Sequence, residues 1–397
     1  MIGLECCRDY FASLPVLVQK ELFSDIESKY IIFEEEERDA SPDFLKIWQF
    51  SPNVNFVLSH DLADLIISGY GVSLSKKSER LLIREDKKAV FEIPLFRLKS
   101  ICICSRGVNL SSDIIQACAQ NGINIFFYDF ADRPYAVFQT ARHTPDIALQ
   151  RRQLELSCSE KSGELAKIMI SGKITNQKNF LKYACKNMQD DIGLYRDILQ
   201  KVGELESLIL KISDIPKGKI DDVRGYILGI EGSAAKIYWY AYGLLLRNGC
   251  RFMGRMTKHL SKDIVNALLN YGYAMLYNQV WGVLLEAGLS PYAGFVHTDA
   301  DGKLSLVYDM SEEFRTVIVD RTVLPFINSH SELSLKDGMI CDKDRNYFAK
   351  KILERMNAAE RFAGKKFPLS YIISAQAYNL GKYIMGKRAY KPFSFKW

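Results

Sequence analysis

Residues 147–169 read IALQRRQLELSCSEKSGELAKIM, and the spacing of their apolar side chains decides the fold. Leu149, Leu154 and Leu156, then Leu165, Ile168 and Met169, recur at helical intervals, so a helical region begins near Ile147. The preceding sequence has a different texture. Leu65-Ile66-Ile67, Leu81-Leu82-Ile83, Val90-Phe91-Glu92-Ile93 and Ile101-Cys102-Ile103-Cys104 are short β-rich runs, punctuated by Gly69–Gly71 and the turn Glu85–Lys88. Ser111–Asn121 predicts a helix ended by Asn121-Gly122, and Ile123–Tyr128 a strand. Beyond Ile147, helices are predicted over Lys167–Met188, Ile192–Ser213, Val223–Leu246, Lys262–Ala287 and Arg345–Ala363. Pro216-Lys217-Gly218 breaks the run, and Leu304–Tyr308 predicts a strand-like interlude. The expectation is an α+β chain in which a small N-terminal β-rich domain, 64–140, precedes a larger all-α domain, 141–397. Residues 1–63 form an acidic extension with no assigned role.

Composition narrows the class. With 397 residues, 48% hydrophobic and 25% charged, the chain is neither disordered, nor collagen-like, nor a small disulfide scaffold. Its net charge of +6 conceals an asymmetry. Residues 1–60 hold 5 basic and 11 acidic side chains, whereas 361–397 hold 8 basic and no acidic ones. A basic body behind an acidic front suits either a polyanionic partner or a solvated basic face. The nine cysteines form no C-x-x-C pair, which excludes a zinc ribbon and fits reduced thiols. No signal peptide is visible, and the most apolar helical stretch, Tyr273–Leu285, is too short to span a bilayer. A cytoplasmic protein without membrane association is expected.

Four segments place polar side chains where an amphipathic helix would not. In Gly229–Ala235, Glu231 stands among small and apolar residues. Such a carboxylate either bonds to backbone or to Arg224, or it binds a cation. In Gly288–His297, a helix ends at Gly288 and His297 closes an apolar run. In Leu306–Arg315, Asp309 and Glu312 are spaced like a helix N-terminus with its capping pair, or like two acids of one site. Two carboxylates and an imidazole suit Mg²⁺ or Mn²⁺ acting on phosphates. In Lys262–Tyr273, amides and phenols follow the basic residues Arg251, Arg255 and Lys258. Basic residues alternating with tyrosines suit phosphate tracking and base stacking, or equally a helix with aromatic core contacts.

Taken in order, these segments resemble the CRISPR-associated integrase and endonuclease, the larger, catalytic enzyme of spacer acquisition. Ile93-Pro94-Leu95, Gly107 through Ser112, Gly122 through Phe127 and Lys173-Ile174-Thr175-Asn176-Gln177-Lys178 resemble its earlier signatures. Tyr390-Lys391-Pro392-Phe393 before Trp397 resembles its ending. The likeness covers about five-sixths of the chain, from Asp64 onward. It departs from the family at Lys258–Lys262, which lacks a proline pair, and residues 1–60 have no counterpart.

The resemblance implies that Glu231, His297 and Glu312 are catalytic and hold Mg²⁺ or Mn²⁺, with Asp309 beside them as an additional acid and metal ligand. It also implies contacts to DNA from Arg255, Lys258, Asn266, Tyr271, Tyr308 and Arg315. The implied reaction is attack by the 3′-OH of a DNA fragment on a phosphodiester of the repeat DNA. Transesterification of this kind needs no nucleotide hydrolysis, in keeping with a sequence that lacks a G-x-x-x-x-G-K-[ST] loop. The implied partners are double-stranded DNA with 3′-OH ends, a second copy of the chain paired through the β domain, and a small CRISPR-associated adaptation protein. Two other readings are a transposon-encoded integrase with the same catalytic core and a non-catalytic DNA-binding scaffold. The former should carry an extra C-terminal DNA-binding helical domain, and here the additional length lies at the front.

Overall fold

A computed structural model of the chain describes residues 45–51, 54–59, 62–67, 69–128, 134–138, 146–186, 191–247, 252–256, 263–330, 333, 335–336 and 339–396. The first part is β-rich: β1 (Leu45–Ser51), β2 (Val54–Ser59), β3 (Leu62–Ile67), β4 (Val72–Lys77), β5 (Arg80–Glu85), β6 (Lys88–Pro94), β7 (Leu98–Ile103), β8 (Asn109–Leu110), α1 (Ser112–Gln120), β9 (Asn124–Tyr128) and β10 (Pro134–Phe138). Two sheets result. A six-stranded sheet runs β1-β2-β3-β7-β9-β10, with β3, β7 and β9 parallel, and a four-stranded sheet runs β6-β5-β4-β8. The tight turn between β5 and β6 needs positive φ at Asp86 and Lys87.

Alternation along the strands builds the first core. Leu65, Ile67, Ile101, Ile103 and Ile125 from one sheet meet Leu74, Leu81, Ile83 and Ile93 from the other, with Ile114 and Cys118 of α1 between them. On β9, Ile125 enters this core while Phe126 and Tyr128 face the helical core, so one strand serves both. The boundary expected at 63/64 falls inside β3, and β1 and β2 lie in the stretch expected to be an extension. Antiparallel pairing such as Val54↔Ile67 and Leu45↔Ser59 joins them to the sheet. The overall acidity of the front had obscured the strand-forming run at 54–58.

The helical part comprises α2 (Ile147–Ser157), α3 (Glu160–Cys185), α4 (Ile192–Ser213), α5 (Ile220–Leu244), α6 (Ile264–Glu286), α7 (Ser305–Ser311), a π-helical turn (Arg315–Asp320), α8 (Arg321–Ser329), α9 (Asp342–Asn357) and α10 (Leu369–Ile384). α3, α4 and α5 pack on one another. On α4, Asp191 caps the N-terminus by accepting from Leu194 N, and Ile198, Val202, Leu205, Leu208 and Ile212 form the buried stripe. A cap of this kind contributes about 1 kcal/mol, and each buried aliphatic side chain roughly 1.5–3 kcal/mol.

The structure corrects two sequence readings here. Leu304–Tyr308 is no strand: Ser305–Ser311 is helical, and Leu306, Val307 and Met310 are its buried side chains. Short hairpins, β11 (Leu335–Lys336) with β12 (Met339–Ile340) and β13 (Ala359–Phe362) with β14 (Lys365–Pro368), interrupt the otherwise helical domain. The second takes the end of the helix expected to reach Ala363, where Ala363 and Gly364 adopt positive φ in the hairpin turn.

Candidate active site

α3, α5 and the segment around α7 bring the functional side chains together. Lys173 and Gln177 lie four residues apart on α3 and therefore share a face. Glu231 projects from α5, and Glu312 follows the last residue of α7. The two carboxylates converge on one ammonium group: Lys173 Nζ lies 2.5 Å from Glu231 Oε1 and 2.8 Å from Glu312 Oε2. Arg315, opening the π-helical turn, approaches the other Glu312 oxygen at 2.7 Å and donates to the Tyr277 hydroxyl. Such turns recur at functional sites.

Glu312 is only 2% exposed. Burial pushes its carboxyl up, but Arg315, Lys173 and His297 together more than reverse this, and it sits below the usual carboxylate range. Burial likewise lowers the Lys173 ammonium, and Glu312 and Glu231 more than restore it. Both groups are therefore held ionised. Glu312 Oε2 is buried without an aligned hydrogen bond, although the ammonium is close by.

His297 reaches this region from the loop after α6, and Asp309 fixes it. Asp309 Oδ2 accepts from the backbone N–H groups of Phe295 (2.5 Å) and Val296 (2.9 Å). Its Oδ1 accepts from His297 N (3.0 Å) and faces His297 Nδ1 at 2.6 Å. Four nitrogen atoms thus surround the one carboxylate. Asp309, expected as an additional metal ligand, thus orients the histidine instead. With Nδ1 donating to the carboxylate, Nε2 is the ring nitrogen left to carry a ligating lone pair. Gly294 permits the arrangement, since a Cβ there would lie 2.7 Å from Ser305 Cβ and 2.9 Å from Asp309 Oδ2. The expected helix N-terminus at Asp309–Glu312 is in fact the end of α7.

Among the described residues, no three His, Cys, Asp or Glu side chains are gathered into a ready metal cage. The donor chemistry nevertheless fits a hard divalent cation. Two carboxylates already meet at a single cationic atom, and the Nε2 lone pair is left free. The Lys173 ammonium lies between the two carboxylates.

A cavity of about 830 Å³ has Glu231 in its wall. Lys173, Gln177, Glu231, Arg255 and Arg315 line it, together with Trp239, Tyr273 and Tyr277. At its far side Asp320, buried, accepts from the hydroxyls of Tyr238 (2.7 Å) and Tyr273 (2.5 Å). Burial holds the Asp320 carboxyl above its usual range, because the phenols and a threonine only partly offset it.

The side chains expected to meet DNA divide by their surroundings. Arg255 and Arg315 line the cavity and stack over Tyr273. Tyr308 packs edge-on to Tyr277 and against the His297 ring. Tyr271 packs on Phe348, inside the helical domain. Asn266 is fully buried and tied to Asp263, Gly254 and Met256, so it builds the start of α6 and presents no group to a ligand. Lys258 lies outside the described residues. The sequence reading missed Lys173 and Gln177 as site residues, although the run Lys173–Lys178 had stood out as a signature.

The chain matches the family model described as CRISPR associated protein Cas1 over residues 65–348. A CRISPR-associated endonuclease Cas1 from Archaeoglobus fulgidus is 32% identical over 347 residues, covering 84% of this chain and 99% of that one. One from Francisella tularensis subsp. novicida is 31% identical, with 84% and 99% covered. Among solved structures, a casposase bound to integration product superposes with a TM-score of 0.70 at 21% identity, covering 83% of this chain and 93% of that one. A Cas1 protein from Thermotoga maritima gives 0.67 at 19% identity, with 83% and 98% covered. A Cas6-RT-Cas1–Cas2 complex gives 0.69 at 18% identity, covering 85% of this chain and 36% of that one.

Proposed function

This chain belongs to the family of CRISPR-associated protein Cas1, and we propose that it is a metal-dependent DNA integrase and endonuclease that inserts DNA fragments as new spacers into a CRISPR array. The convergence of Glu231 and Glu312 on one cationic position, beside a histidine with its Nε2 lone pair free, supports this reading most strongly. Glu231, Glu312 and His297 would hold Mg²⁺ or Mn²⁺, which when bound polarises a phosphoryl oxygen and stabilises charge on the reacting oxygens.

The protein's own groups do the rest. Asp309 keeps the imidazole in one tautomer and one orientation. Arg315, held by Glu312 and Tyr277, presents positive charge on the cavity wall, where a phosphodiester would gain charge in the transition state. The 3′-OH of the incoming fragment bonds to phosphorus, and the bond to the 3′-oxygen of the target strand breaks. The proton lost by the attacking hydroxyl balances the one gained by the departing oxygen. One phosphodiester replaces another, so no external energy source enters.

Pairing of two copies through the β-rich part and association with a small adaptation protein belong to the same reading. The relative seen in a Cas1–Cas2 assembly supports the second. Among the described residues no helix is long and apolar enough to cross a membrane. The casposase likeness is one of fold, and the family model together with the relatives at about 30% identity favours the CRISPR role.

The test is strand transfer of a labelled fragment with free 3′-OH ends into repeat-bearing DNA, with the adaptation partner present. Wild-type protein should join the fragment to the repeat ends, and Glu231→Ala and His297→Ala should lose at least a hundredfold in rate. Undiminished transfer by either variant overturns the assignment. Transfer that ignores the repeat favours the transposon-type enzyme.

A further inference from the structure

The residue at the centre of the site that no ligand set uses is Lys173. Its side chain is 11% exposed, and its ammonium sits between Glu231 at 2.5 Å and Glu312 at 2.8 Å. Two carboxylates brought this close from separate helical segments repel unless a cation lies between them. Lys173 supplies that cation from the protein itself. A divalent ion bound to the same two carboxylates takes the same position, and two cations at contact distance repel strongly at the low effective dielectric of a buried site.

We propose that Lys173 is an internal stand-in for the metal: it holds the two carboxylates together in the metal-free protein and must be expelled before a divalent ion binds. The inference rests on the metal reading above and deepens it. Lys173 thereby weakens metal binding instead of supporting it, while preserving the geometry that the metal needs. Its location makes expulsion feasible. The ammonium ends a flexible four-carbon stem, and Lys173 also lines the 830 Å³ cavity, so the displaced group has polar space to enter. Glu312 remains neutralised by Arg315 during the exchange, because Arg315 binds its other oxygen. Glu231 pairs with Lys173 and so depends on whichever cation stands between the carboxylates.

Mn²⁺ binding to the full-length protein, followed calorimetrically and by electron paramagnetic resonance at mildly alkaline pH, tests the inference without any turnover. Lys173→Met should bind Mn²⁺ at least tenfold more tightly than wild type. Its melting temperature should fall in chelator and recover with Mn²⁺ by a larger increment than wild type shows. Lys173→Gln, which keeps a neutral donor near the carboxylates, should show the same gain in affinity if the Met variant does not fold in chelator. Unchanged or weaker Mn²⁺ binding by the folded variants overturns the stand-in role. A distinct result marks failure of the underlying reading: Mn²⁺ binding by wild type that Glu312→Gln leaves unaltered shows that the metal does not bind here, and both proposals fall.

Discussion

Glu312 and Glu313 are neighbours in sequence, both buried, and they face opposite worlds. Glu312 meets two cations, Lys173 and Arg315, and is held ionised. Glu313 meets only neutral donors: the Tyr390 hydroxyl, Gln376 Nε2 at 3.0 Å and Phe393 N at 2.8 Å. Burial pushes its carboxyl up to about 7, because those three hydrogen bonds only partly offset the loss of water. Burial is common to both, so burial alone identifies neither. Partner charge separates the two: cations surround Glu312, and neutral donors hold Glu313.

What Glu313 fastens is the C-terminal segment. Asn176 of α3 donates to Glu313 O and Phe393 O and accepts from Phe395 N, while Tyr390, Phe393 and Phe395 are buried. The same helix that carries Lys173 toward the cavity therefore carries Asn176 toward the tail. The basic tail foreseen from composition ends as a strap packed on α3, with its lysines Lys391 and Lys396 at the surface.

The contrast can be broken in several ways, beginning with the largest effect. Glu312→Ala should abolish strand transfer, by at least a thousandfold (on the order of 4 kcal/mol of barrier), whereas Glu313→Gln should leave the rate within threefold. The Gln amide can donate to the Tyr390 oxygen and accept from Phe393 N, so the strap survives. A loss in Glu313→Gln as severe as that in Glu312→Ala would erase the distinction. Asp309→Asn should weaken Mn²⁺ binding about 10- to 100-fold, since an amide cannot accept all four donors that orient His297. Calorimetric titration reads this directly.

Gly172→Ala sharpens the structural side. A Cβ at Gly172 would lie 2.5 Å from Pro392 Cβ, so the strap must lift from α3, costing about 1–3 kcal/mol. Urea denaturation measures the cost, and tighter proteolytic protection of the tail in this variant would contradict the packing. The smallest effect concerns Asp320, which shares the neutral-donor surroundings of Glu313. Its carboxyl is raised, so the folded chain holds this proton more tightly than the unfolded chain does. The folded state then binds more protons as pH rises above the ordinary aspartate value of about 3.9, and stability falls through that interval. Asp320→Asn should flatten this part of the stability–pH profile, and an unaltered slope would show that Asp320 does not cause it.

Legibility in the sequence followed the range of the interactions. Helix α4 was readable at both ends because its apolar stripe, Ile198 to Ile212, and its Asp191 cap are local signals. The segment at Ser305–Ser311 misled because Leu-Val-Tyr over so few residues has strand composition, and only burial of Leu306, Val307 and Met310 makes it a helix. The acids and the histidine stood out because each is out of place in an apolar run. Lys173 did not, because a lysine on a helix is ordinarily a solvated residue. Its position between two carboxylates 58 and 139 residues away, at Glu231 and Glu312, is a tertiary fact that no local pattern encodes. Asn266 failed in the opposite direction, since an amide suited to a base edge is also suited to building a helix start.

We propose that Glu231, Glu312 and His297 form one divalent-metal site. Anomalous diffraction from crystals of the protein soaked in Mn²⁺ tests it most directly. The account predicts a peak between the Glu231 and Glu312 carboxylates within coordination distance of His297 Nε2, with the Lys173 ammonium displaced into the cavity. A peak bound elsewhere, with Lys173 still bridging the two carboxylates in protein that catalyses strand transfer, would contradict it.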